Sequence, residues 1–238
     1  MMTNDPLRIS VVMAVWNAER FLEEALASIA AQTFTPAEVL LVDGGSTDAT
    51  LAIASRFEWV RCFPQRGRGL SDAWNTGVHA SSGDAIAFLD SDDRWVADKL
   101  RRQADHLALH PEADAVIGKV HFFLQEGEAP PPGFRTSLLE GSHLAAMPGT
   151  TLLRRAAFDR VGDFDVGLNV ATDIEWYARA RDRGLRMDPL PEVLLHKRVH
   201  GGNFSYTSAR SDNYERDLLR AIHRLRVERR RPPAGDAS

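Results

Sequence analysis

The chain has one cysteine, Cys62, among 238 residues. No internal disulfide is possible, and a metal centre built on thiolates is excluded. A single thiol fits a reducing compartment, so a cytoplasmic location is the expectation. Long apolar runs are also missing. The N-terminal run Ile9–Val15 has seven residues and no basic segment before it, so it reads as a strand rather than a leader. No stretch approaches the roughly 18 apolar residues that a membrane helix needs. Charge of one sign is scarce too. Lys+Arg 29 against Asp+Glu 33 leaves a formal charge of -4, with no general pull toward nucleic acid. Two phosphate-binding signatures are absent. No G-x-G-x-x-G follows the first strand and no G-K-[ST] occurs, which removes the dinucleotide fingerprint and the P-loop.

What is present is alternation. "ISVVMAV" is β-branched and continuous, as in a strand buried on both faces. In the next segment Phe21, Leu22, Ala25, Leu26 and Ile29 fall on one helical face. Strand signals recur at "AEVLLVDG", "WVRCFPQ", "AIAFLDSD" and "ADAVIGKVHFFLQ". Helix signals stand between them at "DATLAIASRF", "GLSDAWNTGVHASSG" and "ADKLRRQADHLALHP". Such alternation predicts an α/β fold with a mostly parallel, Rossmann-like sheet flanked by helices.

The rhythm breaks at "EGEAPPPGFRTSLLEGS", whose three consecutive prolines fit neither a helix interior nor a central strand. We divide one continuous domain there: a first half over 1–125, a smaller second half over 126–210, and a C-terminal helix with a basic tail over 211–238. The tail "RLRVERRRPPAGDAS" reads as a solvated helix end or as a weak peripheral contact with anionic headgroups.

The chemistry gathers at the strand ends, where open α/β sheets bind ligands. One strand ends in Trp16-Asn17 and then Glu19, another in Asp43 to Asp48, and a third in Asp90-Ser91-Asp92-Asp93. Asp90 and Asp92 are two apart, so in extended chain they point the same way. Two close carboxylates repel unless a cation sits between them. A hard dication, Mn²⁺ or Mg²⁺, prefers oxygen ligands and often bridges carboxylates to a diphosphate. For Asp93 the blander reading is a cap on the next helix.

These residues carry a resemblance. "SVVMAVWNAERFLEEALASIAAQTFTPAEVLLVDGGSTDAT" and "GLSDAWNTGVHASSGDAIAFLDSDD" resemble the family-2 glycosyltransferases of GT-A fold. So do "PGTTLLRRAAFDRVGDFD", "ATDIEWYARARDRG" and "RVHGGNFS" in the second half. The resemblance implies an inverting transferase that takes a nucleotide-sugar, usually a UDP-sugar. Its acceptor is a glycan, a lipid-linked species, a small molecule or a peptide.

By similarity Ala14, Trp16 and Glu19 line the nucleotide pocket, and Asp43 accepts the pyrimidine N–H. Gly69, Asp72 and Asn75 belong to the segment that approaches the nucleotide, with Arg66 and Arg68 beside it. Asp90-Ser91-Asp92 matches the D-x-D motif, with Asp92 on the metal and Asp90 on the ribose or a metal-bound water. Asp173 matches the base that deprotonates the acceptor, and Glu175 is the rival. Thr172 replaces a glutamate of the family pattern. His200 matches a histidine that completes the metal shell or contacts the diphosphate, in a glycine-containing segment, about 199 to 207, expected to close as a lid. The remaining histidines read as structural or surface residues. Two other readings stay open: a non-catalytic nucleotide-sugar or partner-binding module, and a sugar nucleotidyltransferase. The glycine-rich loop usual in the latter is absent after the first strand.

Overall fold

The first apolar run forms β1 (Ile9–Val15), buried throughout except at the half-buried Ala14. It is the centre of a parallel set. β2 (Glu38–Asp43) and β4 (Ala85–Phe88) flank it, and β3 (Val60–Pro64) lies outside β2. The computed structural model describes residues 7–168, 171–203 and 219. The helix and tail expected over 211–238 therefore lie outside the described residues, apart from the single position 219.

β8 (Leu152–Arg154), from the second half, pairs antiparallel with β4 and with β6 (Ala115–Leu124). β9 (Met187–Val199) then runs parallel to β6, and β5 (Arg94–Trp95) closes the edge antiparallel to β9. β7 (His143–Ala145) pairs on β6 as a branch. Strands β1, β2, β3, β4, β6 and β9 thus share one direction, and their C-terminal ends open on one edge. Because β8 lies between β4 and β6, the two halves share one sheet.

Side-chain alternation along β1 divides the core into two layers. Val11 and Met13 face α1 (Leu22–Ala30) and α4 (Lys99–Leu109), packing with Leu26, Leu100 and Leu107. Val12 faces the other way, toward α3 (Gly69–Ala80), α5 (Arg155–Val161) and α6 (Thr172–Asp182), with Trp74, Phe158 and Trp176. Each fully buried large apolar side chain there stabilises the fold by roughly 1.5–3 kcal/mol. α3 comes so close to the sheet that a Cβ on Gly77 would stand 2.4 Å from Val12 Cγ1. The short α2 (Thr50–Ala54) packs beside α1.

The alternation is as expected through α4. β5 and β7 go beyond it, and β9 is a single 13-residue strand. Its two prolines are accommodated beside a register shift against Ile117–Val120. Among the described residues no helix is long and apolar enough to cross a membrane.

Candidate active site

The ends of β4 and β9 meet. After β4 the chain turns, with Asp93 N donating to the Asp90 carbonyl at 3.2 Å. Lys197 Nζ lies 2.8 Å from Asp93 Oδ2 and 3.2 Å from Asp90 Oδ2. Arg198 N donates to Asp93 Oδ1 at 2.8 Å, and Arg198 Nε to the Asp92 carbonyl at 2.9 Å. The guanidinium also pairs with Glu24 at 2.7 Å, bonds Gln125, and lies over the rings of Phe21 and Phe123. Asp92 Oδ2 accepts from Asn203 Nδ2 at 2.8 Å and faces His200 Nε2 at 3.1 Å. Four residues of β9 and its exit therefore fasten the whole aspartate turn.

Asp93 is not the helix cap expected of it. Its side chain is 1% exposed and serves the ion pair, while Asp98 stands at the N-terminus of α4.

The hydrogen bonds set the histidine's form. Gly202 N donates to His200 Nδ1 at 3.1 Å. Nδ1 is thus the acceptor, and the Nε2 proton points at Asp92. Burial opposes a charge on Asp92. The His200 hydrogen bond and the Lys197 charge outweigh it and hold the carboxyl below its ordinary value. Burial pushes Asp93 up to about 7; Lys197 opposes the rise, and Asp92 and Asp90 add to it. Lys197 keeps its proton: burial works against the charge, but Asp93, Asp90 and Asp92 outweigh it.

Asp90, Asp92 and Asp93 offer ligand oxygens within 4.8 Å of one another. Lys197 is shared by Asp90 and Asp93, and Asp92 and His200 are the pair that would hold an ion. Nε2 would have to give up its proton to do so. One carboxylate oxygen and one imidazole nitrogen fit such an ion, and suit Mn²⁺ better than Mg²⁺.

The loops after β1 and β2 clamp each other. Asn17, in the left-handed region at φ 47, donates its amide to Ser46 Oγ at 2.9 Å and accepts from Thr47 N at 2.9 Å. Glu19 accepts from Ala49 N at 2.9 Å, and its own amide donates to Asp48 at 3.1 Å. Asp43 is oriented by the Gly45 and Ser46 amides at 3.1 Å and the Ser46 hydroxyl at 2.5 Å. Ser46 therefore orients Asp43 rather than capping α2. Trp16 stands 68% exposed above this loop pair, so it is not a buried aromatic. Ala14 sits below it near the end of β1. Ser91 lies half-buried in the aspartate turn.

At α3, Gly69 has φ +83, which favours glycine, and Asp72 Oδ1 accepts from Gly67 N at 2.7 Å. Arg66 and Arg68 are exposed. Asn75 is buried, and both amide atoms serve the Phe164 backbone at 2.9 Å. It staples α3 to the loop before α6.

α6 begins at Ala171, which is left-handed at φ 58. A β-carbon in that region costs of order 1–3 kcal/mol and is found at functional sites. Thr172 is buried, its hydroxyl 3.0 Å from Ser71 Oγ, so the residue that departs from the family pattern ties α6 to α3. Asp173 follows, half-buried. Burial, and after it the Asp90 charge, raises its carboxyl, against the Ile174 amide and Lys197. Glu175 has a side chain that is 0% exposed and holds Arg179 at 2.9 and 3.0 Å. Arg179 in turn donates to the Val161 and Asp163 carbonyls. A carboxylate so placed secures the α5–α6 loop.

Of the segment expected to move as a lid, residues 199–203 are described and the rest lies outside the described residues. Within the described part, Asn203 Oδ1 accepts from His200 N at 2.6 Å, and Phe21 packs 4.8 Å from the imidazole. Lys197, Arg198, Asn203 and Phe21 were not singled out from sequence.

Sheet, helices and carboxylate edge together define a GT-A fold. The chain belongs to the Glycosyl transferase family 2, whose model matches residues 10–165. It is 31% identical over 211 residues to Uncharacterized protein Mb1547 of Mycobacterium bovis, covering 81% of this chain and 59% of that protein. The chain thus spans somewhat over half the length of that relative. Among solved structures it is similar to Staphylococcus aureus TarS 1-349 in complex with UDP-GlcNAc. The TM-score is 0.77 at 22% identity, over 97% of this chain and 69% of that one. It is also similar to the mannosyltransferase PcManGT of Pyrobaculum calidifontis, in complex with GDP-Man and Mn²⁺. There the TM-score is 0.70 at 20% identity, over 97% and 67% of the two chains.

Proposed function

We propose that this chain is an inverting glycosyltransferase that moves a sugar from a nucleotide diphosphate donor, a UDP-sugar foremost, to an acceptor hydroxyl. The observation that carries the reading is the convergence of Asp92, His200 and Asn203 where β4 and β9 end, with Asp173 near enough to feel the charge of Asp90. Family membership and the nucleotide-sugars seen in the two structural neighbours support it.

In this reading Trp16 stacks on the base, and the pre-oriented Asp43 carboxylate accepts its N–H. Ala14, Glu19, Gly69 and Asp72 shape the walls of that pocket. Asp90 and Ser91 face the ribose, with Lys197 holding Asp90 in place. Asp92 and His200 hold a dication, Mn²⁺ or Mg²⁺, which when bound offsets charge growing on the diphosphate leaving group. Asp173 takes the acceptor proton as the hydroxyl attacks in line. Its raised basicity suits that work better than an ordinary surface carboxylate would. The acceptor is a hydroxyl of a glycan, lipid-linked carrier, small molecule or peptide.

The test is a panel of UDP-, GDP- and dTDP-sugars, each with and without Mn²⁺, read by thermal shift and then by donor turnover. One nucleotide class should raise Tm only with metal, and the released or transferred sugar should show inverted anomeric configuration. Retention of configuration would overturn the single displacement. Absence of any nucleotide-dependent shift would overturn the donor site. Binding without turnover, on any acceptor class or water, would favour the binding module.

A further inference from the structure

We infer that His106, His110 and Asp188 form a second metal site, for a Zn²⁺-class dication, at the end of the sheet away from the catalytic edge. His106 lies in the last turn of α4 and His110 just past it. A spacing of four puts them on one helical face, and their rings stack with centroids 4.3 Å apart. Asp188 enters from the start of β9. The three offer ligand atoms within 4.8 Å of one another. Read from sequence alone, these histidines are structural or surface residues; the strand brings Asp188 to them from 82 residues away.

The site is built in further ways. Asp188 Oδ2 lies 3.0 Å from His106 Nε2, as Asp92 does from His200, with a proton where an ion would stand. Arg186 holds the Asp188 carboxylate, Nε donating to Oδ1 at 3.0 Å and Nη2 more loosely to Oδ2 at 3.5 Å, which fixes the carboxylate beside the imidazole. Glu112 stands 3.6 Å from His110 Nδ1 and brings a second carboxylate to the rim. Arg186 also contacts Glu112 at 3.2 Å, so its charge is shared between two acids. The carbonyl end of α4 adds partial negative charge. His106 and Asp188 are 20% and 17% exposed, so solvent reaches the cluster.

Two imidazoles and one carboxylate select Zn²⁺, Ni²⁺ or Cu²⁺ over Mg²⁺. The catalytic edge, with one imidazole among carboxylates, is the more oxygen-rich of the two and suits Mn²⁺. Asp188 and Lys197 are nine residues apart on one strand, about 30 Å in extended chain, so the two sites are independent. A bound ion would tie the end of α4 to the start of β9.

The experiment uses the full chain carrying Asp92→Asn, so that the catalytic donor pair is broken. Zn²⁺ is titrated in competition with a chromophoric chelator, and Tm is read with Zn²⁺, with Mn²⁺ and with EDTA. The expected result is one Zn²⁺ equivalent and a raised Tm, with no rise from Mn²⁺. Adding His110→Ala, at an exposed ring that the fold does not need, should weaken Zn²⁺ by at least the roughly 10–100-fold that even an outer partner is worth. Asp188→Asn should do the same. His196→Ala, at the separate His121–His196 ring contact, should change neither readout. No zinc uptake by the Asp92→Asn chain, or uptake indifferent to both His110→Ala and Asp188→Asn, would overturn the site. Loss of uptake on His196→Ala alone would overturn it equally.

Discussion

The two sides of the catalytic edge hold their carboxylates by different means. Where β4 meets β9, three aspartates are matched to Lys197, Arg198, His200 and Asn203, and their charges are set by those partners. At the start of α6, two carboxylates stand two residues apart and meet opposite fates. Glu175 is sealed against Arg179, while Asp173 is half-buried with its basicity raised. The role of a carboxylate follows from what stands against it, and sequence position alone does not decide between neighbours.

The sharpest way to break the comparison is to exchange the roles on α6. Asp173→Asn should lower turnover by about 10²–10⁴-fold, the usual worth of a positioned base, with nucleotide affinity unchanged by isothermal titration. Glu175→Gln should do the reverse. It leaves Arg179 buried and unpaired, which costs about 3–5 kcal/mol of stability, seen as a lowered denaturation midpoint. Turnover per folded molecule should fall only severalfold. If Glu175→Gln folds normally and loses turnover while Asp173→Asn keeps it, the base has been misassigned.

A smaller effect sharpens the donor side. Trp16→Ala should weaken UDP by about 1–3 kcal/mol, the worth of one base stacked on an aromatic ring, and leave turnover at saturating donor unchanged. An unchanged Kd would remove Trp16 from the nucleotide pocket.

The smallest shift is in pH. Asp173 must be ionised to act, so kcat/KM should fall as pH drops through a value above the ordinary 3.8 of an aspartate. Asp90 raises that value, so Asp90→Asn should move this acid limb to lower pH even as it slows the reaction. A limb that stays in place would mean that the two carboxylates do not interact.

Much of this was legible because the first half alternates buried strands with amphipathic helices, and each signal is local. β5 and β7, of two and three residues, are too short to carry a period. Pro189 and Pro191 cannot donate to a ladder, and the register shift that accommodates them depends on β6. In the site, Asp90 and Asp92 announced themselves by type and spacing. Lys197 and Arg198 did not, because a charged pair in a strand reads as solvated until its partners, more than 100 residues away, fold against it. The role of Glu175 was within reach: Arg179 stands four residues on, at ion-pair spacing on a helix. What sequence lacked was the burial that makes the pair structural. The staple made by Asn75 was hidden for the same reason, since its partner Phe164 is 89 residues away.

The central claim is that Asp92 and His200 hold a dication against the donor diphosphate. The most direct measurement is the affinity for UDP, by isothermal titration, with saturating Mn²⁺ and with EDTA, in the native chain and in Asp92→Asn. In the native chain UDP should bind at least about tenfold more tightly with Mn²⁺, a difference of roughly 1.4 kcal/mol, and in Asp92→Asn the two affinities should coincide. Equal affinity with and without metal in the native chain, or a metal effect that survives in Asp92→Asn, would contradict it.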